Sequence, residues 1–345
     1  MAIGLLEPLI SPAVLSHYPH PSLLGVTVPI TVSNKPQIKA PSTKMATSAT
    51  EPNTKSNSVK TIDSHLHVWA SPQEAADKYP YFPGQEPTLS GDVHFLLQNM
   101  EEAGVDGALI VQPINHMFDH SLVTSILKKY PTKFVGCCLA NPAEDGIGLK
   151  QLEELVLKDG YHAVRFNPYL WPAGQKMTNN VGKALFCKAG ELGIPVGFMC
   201  FKGLNLHIAE ILELCTEFPS TVVLMDHLGF CKPPSNDEES LVFSELLKLS
   251  RFPQVYIKFS ALFRVSRMSY PYQDLSPLLS QVISSFGANR VMWGSDFPYV
   301  IPECGYAGAK EAASSIASQV PLSSSELEWI MGKTVMQLLK GQWLP

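Results

Sequence analysis

The chain has 345 residues, of which 45% are hydrophobic, and its net charge is -5. This length suits two average domains or one large α/β barrel with an appendage. With Lys+Arg 26 against Asp+Glu 31, the chain has no basic field to hold a polyanion, so nucleic acid is not an expected partner. No window has the long apolar run that spans a bilayer, so we expect a soluble protein without a membrane partner.

Residues 1–58 are rich in Ser, Thr, Pro and Ala and contain two acids, Glu7 and Glu51. Such a segment buries too little apolar area to offset its ordering entropy, so a disordered N-terminal extension is predicted. The acid-poor, hydroxylated composition is typical of a transit peptide, although arginine is absent, and predicts the chloroplast stroma as the location. The alternative is that the protein is cytoplasmic and that this tail carries no targeting signal. Met45 is an alternative start, so the presence of residues 1–44 in the mature protein stays open.

The 7 cysteines are scattered, without the paired Cys-x-x-Cys spacing of a zinc module. A reducing compartment is the simpler expectation for such a chain.

From residue 59 onward, short apolar runs alternate with stretches of helical period. The runs are typical of strands buried on both faces of a parallel sheet. They lie at 60–68, 107–112, 134–139, 162–167, 195–200, 221–226, 255–260 and 290–295. The helices are predicted at 91–103, 118–129, 147–158, 181–192, 206–217, 239–249, 274–286 and 305–319. Eight βα units joined by right-handed crossovers predict an α/β fold, a (β/α)8 TIM barrel over residues 59–345.

An extra C-terminal helix is predicted from the capping box Ser323-Ser324-Ser325-Glu326 to about Lys340. An open doubly wound sheet is the alternative architecture. Against it, no Gly-x-Gly-x-x-Gly follows the first strand and no phosphate-binding Gly-rich loop occurs.

The first strand carries a His-x-His motif at His65 and His67. Alternate residues of a strand face the same way, so these side chains are predicted to project together, with Asp63 one step deeper. Two such imidazoles can share a metal ion or reach one substrate oxygen. Taken alone, the motif equally fits two structural histidines bonded to carbonyls. Asp63 is interpreted as an orienting carboxylate or a buried structural one.

Polar residues recur where the predicted strands end, which is where barrel enzymes carry their chemistry. They are Gln112, Arg165, Asp226, His227, Lys258, Ser260, Arg264 and Asp296. Titratable groups from strands one, six and eight therefore converge on one mouth, which core packing does not predict. The structural alternatives are that His227 is a packed histidine and that Asp296 is a helix N-cap. The same structural interpretation applies to His94, His116, His120, His162 and His207.

Together, the His-x-His, Asp226-His227-Leu228-Gly229 and Gly294-Ser295-Asp296-Phe297-Pro298 motifs resemble the amidohydrolase superfamily. More narrowly, they are similar to its amidohydrolase-related group, which includes pyrone-dicarboxylate lactonase and sugar lactonases. The resemblance covers roughly residues 59–340. It implies a hydrolase that opens a lactone or carboxylic ester by attack of water, with Asp296 as general base. It also implies that His65, His67 and His227 polarise the carbonyl.

The resemblance further implies that Arg165 and Arg264 clamp a substrate carboxylate, since guanidinium binds carboxylate through paired hydrogen bonds. Gln112 and Lys258 are the remaining substrate-binding candidates. The expected partner is a small, carboxylate-bearing lactone or ester. The dicarboxylate-specific lactonase has a further arginine where this chain has residues 169–172, which argues against the same dicarboxylate. The sequence does not determine which substrate is used or whether the protein forms a homo-oligomer.

Binuclear members of the superfamily need a bridging Lys or Glu on strand four and a His on strand five. Arg165 and Cys200 stand there, so no two-metal site is expected. One divalent ion, zinc or manganese, on His65, His67 and Asp296 stays open. The lactonase relatives are expected to need no metal, and we favour no required cofactor. Three alternatives stay open: a metal-dependent decarboxylase of an aromatic or unsaturated acid, an amide hydrolase, and a catalytically idle barrel that acts as a scaffold.

Overall fold

The computed structural model describes residues 59–341 and 343. The predicted extension at residues 1–58 lies outside the described residues, so its disorder and its targeting role stay predictions. Within the described residues, eight parallel strands form one sheet in chain order, which confirms the predicted (β/α)8 barrel. The strands are β1 Ile62–Leu66, β2 Gly107–Val111, β3 Phe134–Leu139, β4 Tyr161–Phe166, β5 Val196–Phe198, β6 Val223–Met225, β7 Val255–Ser260 and β8 Val291–Gly294.

Helices surround the sheet, and those between successive strands lie close to their predicted positions. They are α1 Pro72–Asp77, α2 Val93–Ala103, α3 Ser121–Lys129, α4 Ile147–Lys158, α5 Asn180–Glu191, α6 Ile208–Glu217, α7 Asp237–Lys248, α8 Leu262–Val265, α9 Ser276–Phe286 and α10 Ile301–Ala317. The two short helices α1 and α8 were not predicted. Both lie in loops at the carboxyl side of a strand, where apolar periodicity is too short to read. No described helix has both the length and the apolar content that a membrane crossing needs.

The C-terminal helix begins as predicted. Ser323 caps it, and the side chain of Glu326 returns a hydrogen bond to the Ser323 backbone, which completes the capping box. The helical path runs through α11 Ser324–Glu328, a π-helical segment Trp329–Lys333 and α12 Thr334–Leu339. A π segment inserts one residue into the helical ladder. Here it brings Gly332 against Lys60, where an added Cβ would lie 2.1 Å from the Lys60 carbonyl oxygen.

The strands are buried on both faces, which explains their nearly continuous apolar sequences. Side chains on one face pack against the surrounding helices in the large outer cluster. Side chains on the other face form a smaller cluster inside the barrel, which is closed from below by the last helix. Its buried members are Ile62, Leu109, Val111, Val135, Cys137, Ala163, Leu224, Met292, Val335 and Leu339. Above this layer the inward positions become polar.

Strand β1 does not keep simple alternation. Its register with β2 shifts between Asp63 and Leu66, so the residues on either side of the irregularity change faces. The expectation that Asp63 lies on the same side as the two histidines is therefore wrong. Its carboxylate accepts hydrogen bonds from the backbone N–H groups of His65 (2.9 Å) and Ser295 (3.0 Å) and from the hydroxyl of Tyr306 on α10 (3.0 Å). Asp63 thus joins β1 to β8 and to the outer helix.

The seam between β8 and β1 closes through two backbone hydrogen bonds beyond the strand ends. Asp296 N donates to His65 O at 2.8 Å, and His67 N donates to Phe297 O at 2.7 Å. Gly294 allows this approach, because a Cβ there would lie 2.9 Å from both Cβ and N of His65. The first and last strand-end motifs are thereby held together directly.

Candidate active site

The four residues predicted to be catalytic meet at the carboxyl ends of β1, β6 and β8. The ring of His65 lies 5.1 Å from that of His67 and 4.4 Å from that of His227, measured between centroids. Asp296 Oδ1 lies 3.5 Å from His67 Nε2 and 4.0 Å from His65 Nε2. All four side chains are buried. The described residues therefore enclose one compact polar cluster at the barrel mouth.

The backbone that presents this cluster is unusual. His227 and Asp296 both have positive φ, 53° and 64°, in the left-handed region that L-residues avoid. Ala261, which follows β7, shares it with φ 49°. Such conformations persist only where the surroundings enforce them, and they cluster at functional sites. They turn the chain sharply just beyond three neighbouring strands.

Asp296 is held from its other side by Arg264. Arg264 Nε donates to Asp296 Oδ2 at 2.8 Å, and its guanidinium also stacks on the ring of Tyr299, 4.7 Å from the centroid. Burial alone would raise the pKa of Asp296. The charge of Arg264, helped by the neighbouring His67 and His227, outweighs burial and holds that pKa well below its usual range. The carboxylate is therefore ionised at physiological pH.

The three histidines are each fixed by a second contact. His67 Nδ1 lies 2.9 Å from the carbonyl oxygen of Val111. A carbonyl only accepts, so Nδ1 of His67 carries a proton and Nε2 is the nitrogen that faces Asp296. His227 Nδ1 lies 2.8 Å from Ser260 Oγ, and either atom can donate. Burial lowers the pKa of His227 to about 4, so this ring is neutral at pH 7.

A buried charged layer lies beneath His65. Asp226 Oδ1 is 3.0 Å from Lys258 Nζ and 3.3 Å from His65 Nδ1, while Asp226 Oδ2 is 3.0 Å from Arg165 Nε. Lys258 Nζ also lies 3.2 Å from His65 Nδ1. Burial would raise the pKa of Asp226, but Lys258, with His65 and Arg165, holds it well below its usual range. The layer contains one carboxylate and two cations.

The predicted substrate-binding residues are in different situations. Arg165 forms an ion pair with Asp226 through Nε at 3.0 Å, and its two terminal nitrogens make no hydrogen bond to a described residue, so they are available to a ligand. Gln112 uses its amide nitrogen to hold the loop carbonyls of Met117 (3.1 Å) and Asp119 (2.8 Å), while its Oε1 is buried without a partner among the described residues. Lys258 is already engaged by Asp226 and His65.

The histidines interpreted as structural make backbone contacts or lie at the surface. His116 contacts Pro80 O and Ala70 N, and His120 contacts Phe118 O and Leu139 N. His162 bonds to Leu339 O at the opposite end of the barrel, and His94 is exposed. His207 lies 3.4 Å from the hydroxyl of Tyr169, through its Nε2.

The predicted metal ligands His65, His67 and Asp296 are brought together, with one potential ligand atom from each lying within 4.8 Å of the others. The spacing would accept one ion, but the neighbours of these ligands do not suit it. Arg264 occupies Asp296 Oδ2, and the Lys258 ammonium is bonded to His65 Nδ1. A divalent cation would sit beside two buried cations and would need a lone pair on His65 Nε2. The two neighbouring cations therefore oppose a resident ion at these ligands.

Two residues matter more than their sequence context indicated. Asp226 was noted only as a strand-end residue before His227, yet it contacts three members of the site. Tyr299, which packs on His67 at 5.9 Å between ring centroids and on Arg264, was missed. Its position immediately after the last strand-end motif was the one available signal.

Comparisons with known proteins agree with the fold and identify the family. The family model described as Amidohydrolase matches residues 62–340. A 4-sulfomuconolactone hydrolase from Hydrogenophaga intermedia is 28% identical over 244 residues, which cover 69% of this chain and 74% of that protein. Among solved structures, a Pseudomonas putida protein whose name proposes a 2-pyrone-4,6-dicarboxylic acid hydrolase has a TM-score of 0.67 at 22% identity, covering 82% and 98% of the two chains.

A zinc-bound amidohydrolase from Burkholderia multivorans has a TM-score of 0.63 at 18% identity, covering 82% of this chain and 99% of that one. At these identities the two solved structures support the fold alone. The family match covers nearly all of the barrel and includes both the first and the last of the strand-end motifs. The chain belongs to the amidohydrolase family, and it is a hydrolase.

Proposed function

We propose that this protein hydrolyses the lactone or ester bond of a small, carboxylate-bearing molecule. The observation that carries the proposal is the position of Asp296 Oδ1, 3.5 Å from His67 Nε2 and 4.0 Å from His65 Nε2 in a buried cluster. An ionised carboxylate there faces imidazoles that can bind both the attacking water and the carbonyl. The lactone named for the Hydrogenophaga relative supports the same reaction class.

The attacking water is held between Asp296 Oδ1 and His67 Nε2. In this proposal His67 acts as the Nδ1–H tautomer, whose proton faces the Val111 carbonyl, so that both atoms accept hydrogen bonds from the water. Two acceptors orient the lone pair of the water toward the substrate, and Asp296 takes the proton as the C–O bond forms. This role for His67 differs from the sequence-based expectation that it polarises the carbonyl. The contact of His67 Nδ1 with the Val111 carbonyl supports this acceptor role for Nε2.

His65 and His227 stabilise the charge that develops on the carbonyl oxygen. Burial, followed by the charge of Lys258, holds the pKa of His65 well below its usual range, and burial also lowers that of His227. Both rings are therefore neutral, and each donates to the oxyanion from a protonated Nε2, which for His227 requires that Nδ1 accept from Ser260 Oγ. Hydrogen-bond donors that are already oriented in a water-poor cluster give their strongest stabilisation to the charge of the oxyanion. The tetrahedral intermediate then collapses, the ring C–O bond breaks, and the alkoxide takes the proton from Asp296 to give a hydroxy acid.

Arg165 and Arg264 position the substrate. The terminal nitrogens of Arg165 form a pair suited to a carboxylate, and its Nε contact with Asp226 fixes the guanidinium plane. Arg264 is shared between Asp296 and Tyr299, so it orients the base and borders the mouth. One available guanidinium pair supports a substrate with a single anchoring carboxylate rather than a dicarboxylate.

A substrate panel tests the proposal. Purified protein would be assayed, before and after treatment with a chelator, on γ- and δ-lactones with and without a carboxylate, matched linear esters, matched amides and aromatic acids. We expect turnover of carboxylate-bearing lactones or esters that survives removal of metal. Release of CO2 that depends on zinc or manganese would favour a decarboxylase, and amide turnover alone would favour an amide hydrolase. Inactivity on the whole panel, with a protein partner recovered, would favour a scaffold.

A further inference from the structure

His65 has a second contact that distinguishes it from His67. Its ring is fully buried, and its Nδ1 accepts an aligned hydrogen bond from Lys258 Nζ at 3.2 Å. An ammonium group only donates, so Nδ1 carries the lone pair and the single proton of the neutral ring is on Nε2. His67, whose Nδ1 faces a carbonyl, has the opposite tautomer. The two histidines of one motif therefore present a donor and an acceptor to the same cavity.

We propose that Lys258 is a positioning residue that fixes His65 in the Nε2–H tautomer, which makes His65 a hydrogen-bond donor to the substrate rather than a ligand for a metal ion. The donor role rests on the proposed hydrolysis of a carbonyl substrate. The tautomer itself does not, since it follows from the contact between Lys258 and His65.

Asp226 is the competing partner for His65. Its Oδ1 lies 3.3 Å from the same Nδ1 and, if it accepted from it, would leave Nε2 with a lone pair. No aligned hydrogen bond joins these atoms, and both Asp226 oxygens lack an aligned partner among the described residues. Lys258 and Arg165 flank the Asp226 carboxylate at 3.0 Å each. The two cations weaken Asp226 as an acceptor for His65, and Lys258 is too buried to turn away.

The other nitrogen of His65 is unpartnered. Nε2 is buried and makes no hydrogen bond within the described part of the chain, and its nearest carboxylate oxygen, Asp296 Oδ1, is 4.0 Å away. Buried polar atoms are rarely left without a partner, so an orphaned donor at a site indicates an acceptor on the ligand. A substrate carbonyl oxygen is such an acceptor.

Removal of the ammonium reverses the balance. In Lys258→Met, Asp226 is the remaining polar neighbour of Nδ1, and an aspartate accepts from Nδ1–H. The lone pair of His65 Nε2 would then join His67 and Asp296, whose potential ligand atoms lie within 4.8 Å of one another. The variant should exchange a hydrogen-bond donor for a zinc ligand.

The experiment combines a spectroscopic readout with zinc binding. Full-length protein labelled with ¹⁵N-histidine would be examined by long-range ¹H–¹⁵N NMR, with the His65 signals assigned from His65→Asn. Zinc affinity of metal-stripped protein would be measured by competition with a chromophoric chelator. The variants are Lys258→Met and Lys258→Arg, which keeps a cationic donor. The matched control is Lys310→Met, which removes a lysine that bonds the Ala103 and Gly104 carbonyls at 2.7 and 3.0 Å.

We expect the Nε2–H tautomer in the wild type, in Lys258→Arg and in Lys310→Met. Lys258→Met should show the Nδ1–H tautomer and bind zinc about tenfold or more tightly than the wild type. An Nδ1–H signal for His65 in the wild type overturns the proposal, whether or not any variant folds. A folded Lys258→Met that keeps both the wild-type tautomer and the wild-type zinc affinity also overturns it. Absence of lactone turnover would refute the proposed function without changing either readout.

Discussion

Arg264 Nε donates to Asp296 Oδ2 at 2.8 Å, so the proposed base is held by a cation on one oxygen and meets the histidines with the other. The bond orients the carboxylate and keeps it ionised, and it also weakens it as a base. A carboxylate so held accepts a proton only while charge is developing nearby. The oxyanion donors and the base must therefore act together.

Asp296→Asn removes the proposed base with little change in shape. The amide oxygen can still accept from Arg264, so the fold should be retained. We expect kcat on a lactone substrate to fall by about 10²–10⁴-fold, the usual contribution of a general base. Asp106→Asn is the matched control, since that carboxylate bonds to Thr61 N at the opposite end of β2. A folded Asp296→Asn enzyme with near-normal kcat would remove Asp296 from the mechanism.

Arg165→Lys keeps the charge beside Asp226 but removes the terminal pair of guanidinium nitrogens. We expect KM for carboxylate-bearing lactones to rise about tenfold or more, since a carboxylate loses paired hydrogen bonds to a planar partner. KM for a matched lactone without a carboxylate should change little. Steady-state kinetics on the two substrates provide the test, and an equal effect on both would contradict the anchoring role.

His120 should make the protein less stable in acid. Burial lowers the pKa of His120 from its usual 6.5 to about 4, against the opposing effect of the hydrogen bond that Nδ1 donates to Phe118 O. The unfolded chain takes up a proton below pH 6.5 and the folded chain does not, so stability is full above 6.5 and is lost as pH falls toward 4. The loss should be about 3 kcal/mol.

Urea unfolding of His120→Asn at a series of pH values would test this dependence. The variant should be less stable at pH 7 and should have a flatter pH dependence between about 6.5 and 4. His94→Asn, at an exposed position, is the control and should keep the wild-type slope. Equal slopes in all three proteins would show that His120 does not contribute.

Gly294→Ala should open the seam at the site. The new Cβ would lie 2.9 Å from His65 Cβ and N, so β1 must move away from β8. Overpacking of this kind costs about 1–3 kcal/mol. Gly197→Ala on β5 is the matched control, because its Cβ would meet Asp226 oxygens at ordinary distances of 3.8 and 3.9 Å. Thermal unfolding and activity of the two variants should separate clearly, and similar melting temperatures would argue against the close approach.

Much of the barrel could be predicted from periodicity alone. The eight apolar runs are strands because a parallel barrel buries both faces, and the capping box at Ser323 and Glu326 marked a real helix start. Helix α10 begins at Ile301, but it is interrupted at Gly305 (φ 72°), and the stretch beyond this kink starts near the predicted residue 305. The short helices α1 and α8 were not predicted, because six and four residues are too few to show apolar periodicity.

The residues that form the site were more predictable than the contacts between their side chains. Strand-end position brought His65, His67, His227 and Asp296 together, but it gave no information about Lys258 under His65 or Arg264 on Asp296. Those contacts depend on side chains from different strands, and on left-handed backbone at His227 and Asp296 that no propensity favours. Asp63 was misplaced because one register shift in β1 reverses the alternation.

Closure of the ring of strands coincides with the chemistry. Asp296 N donates to His65 O and His67 N donates to Phe297 O, so the same residues that carry the reactive atoms also fasten the last strand to the first. Enzyme activity should therefore report directly on whether the barrel is closed between β8 and β1. Partial separation of β8 from β1 should abolish activity even while the other seven strand pairings remain intact.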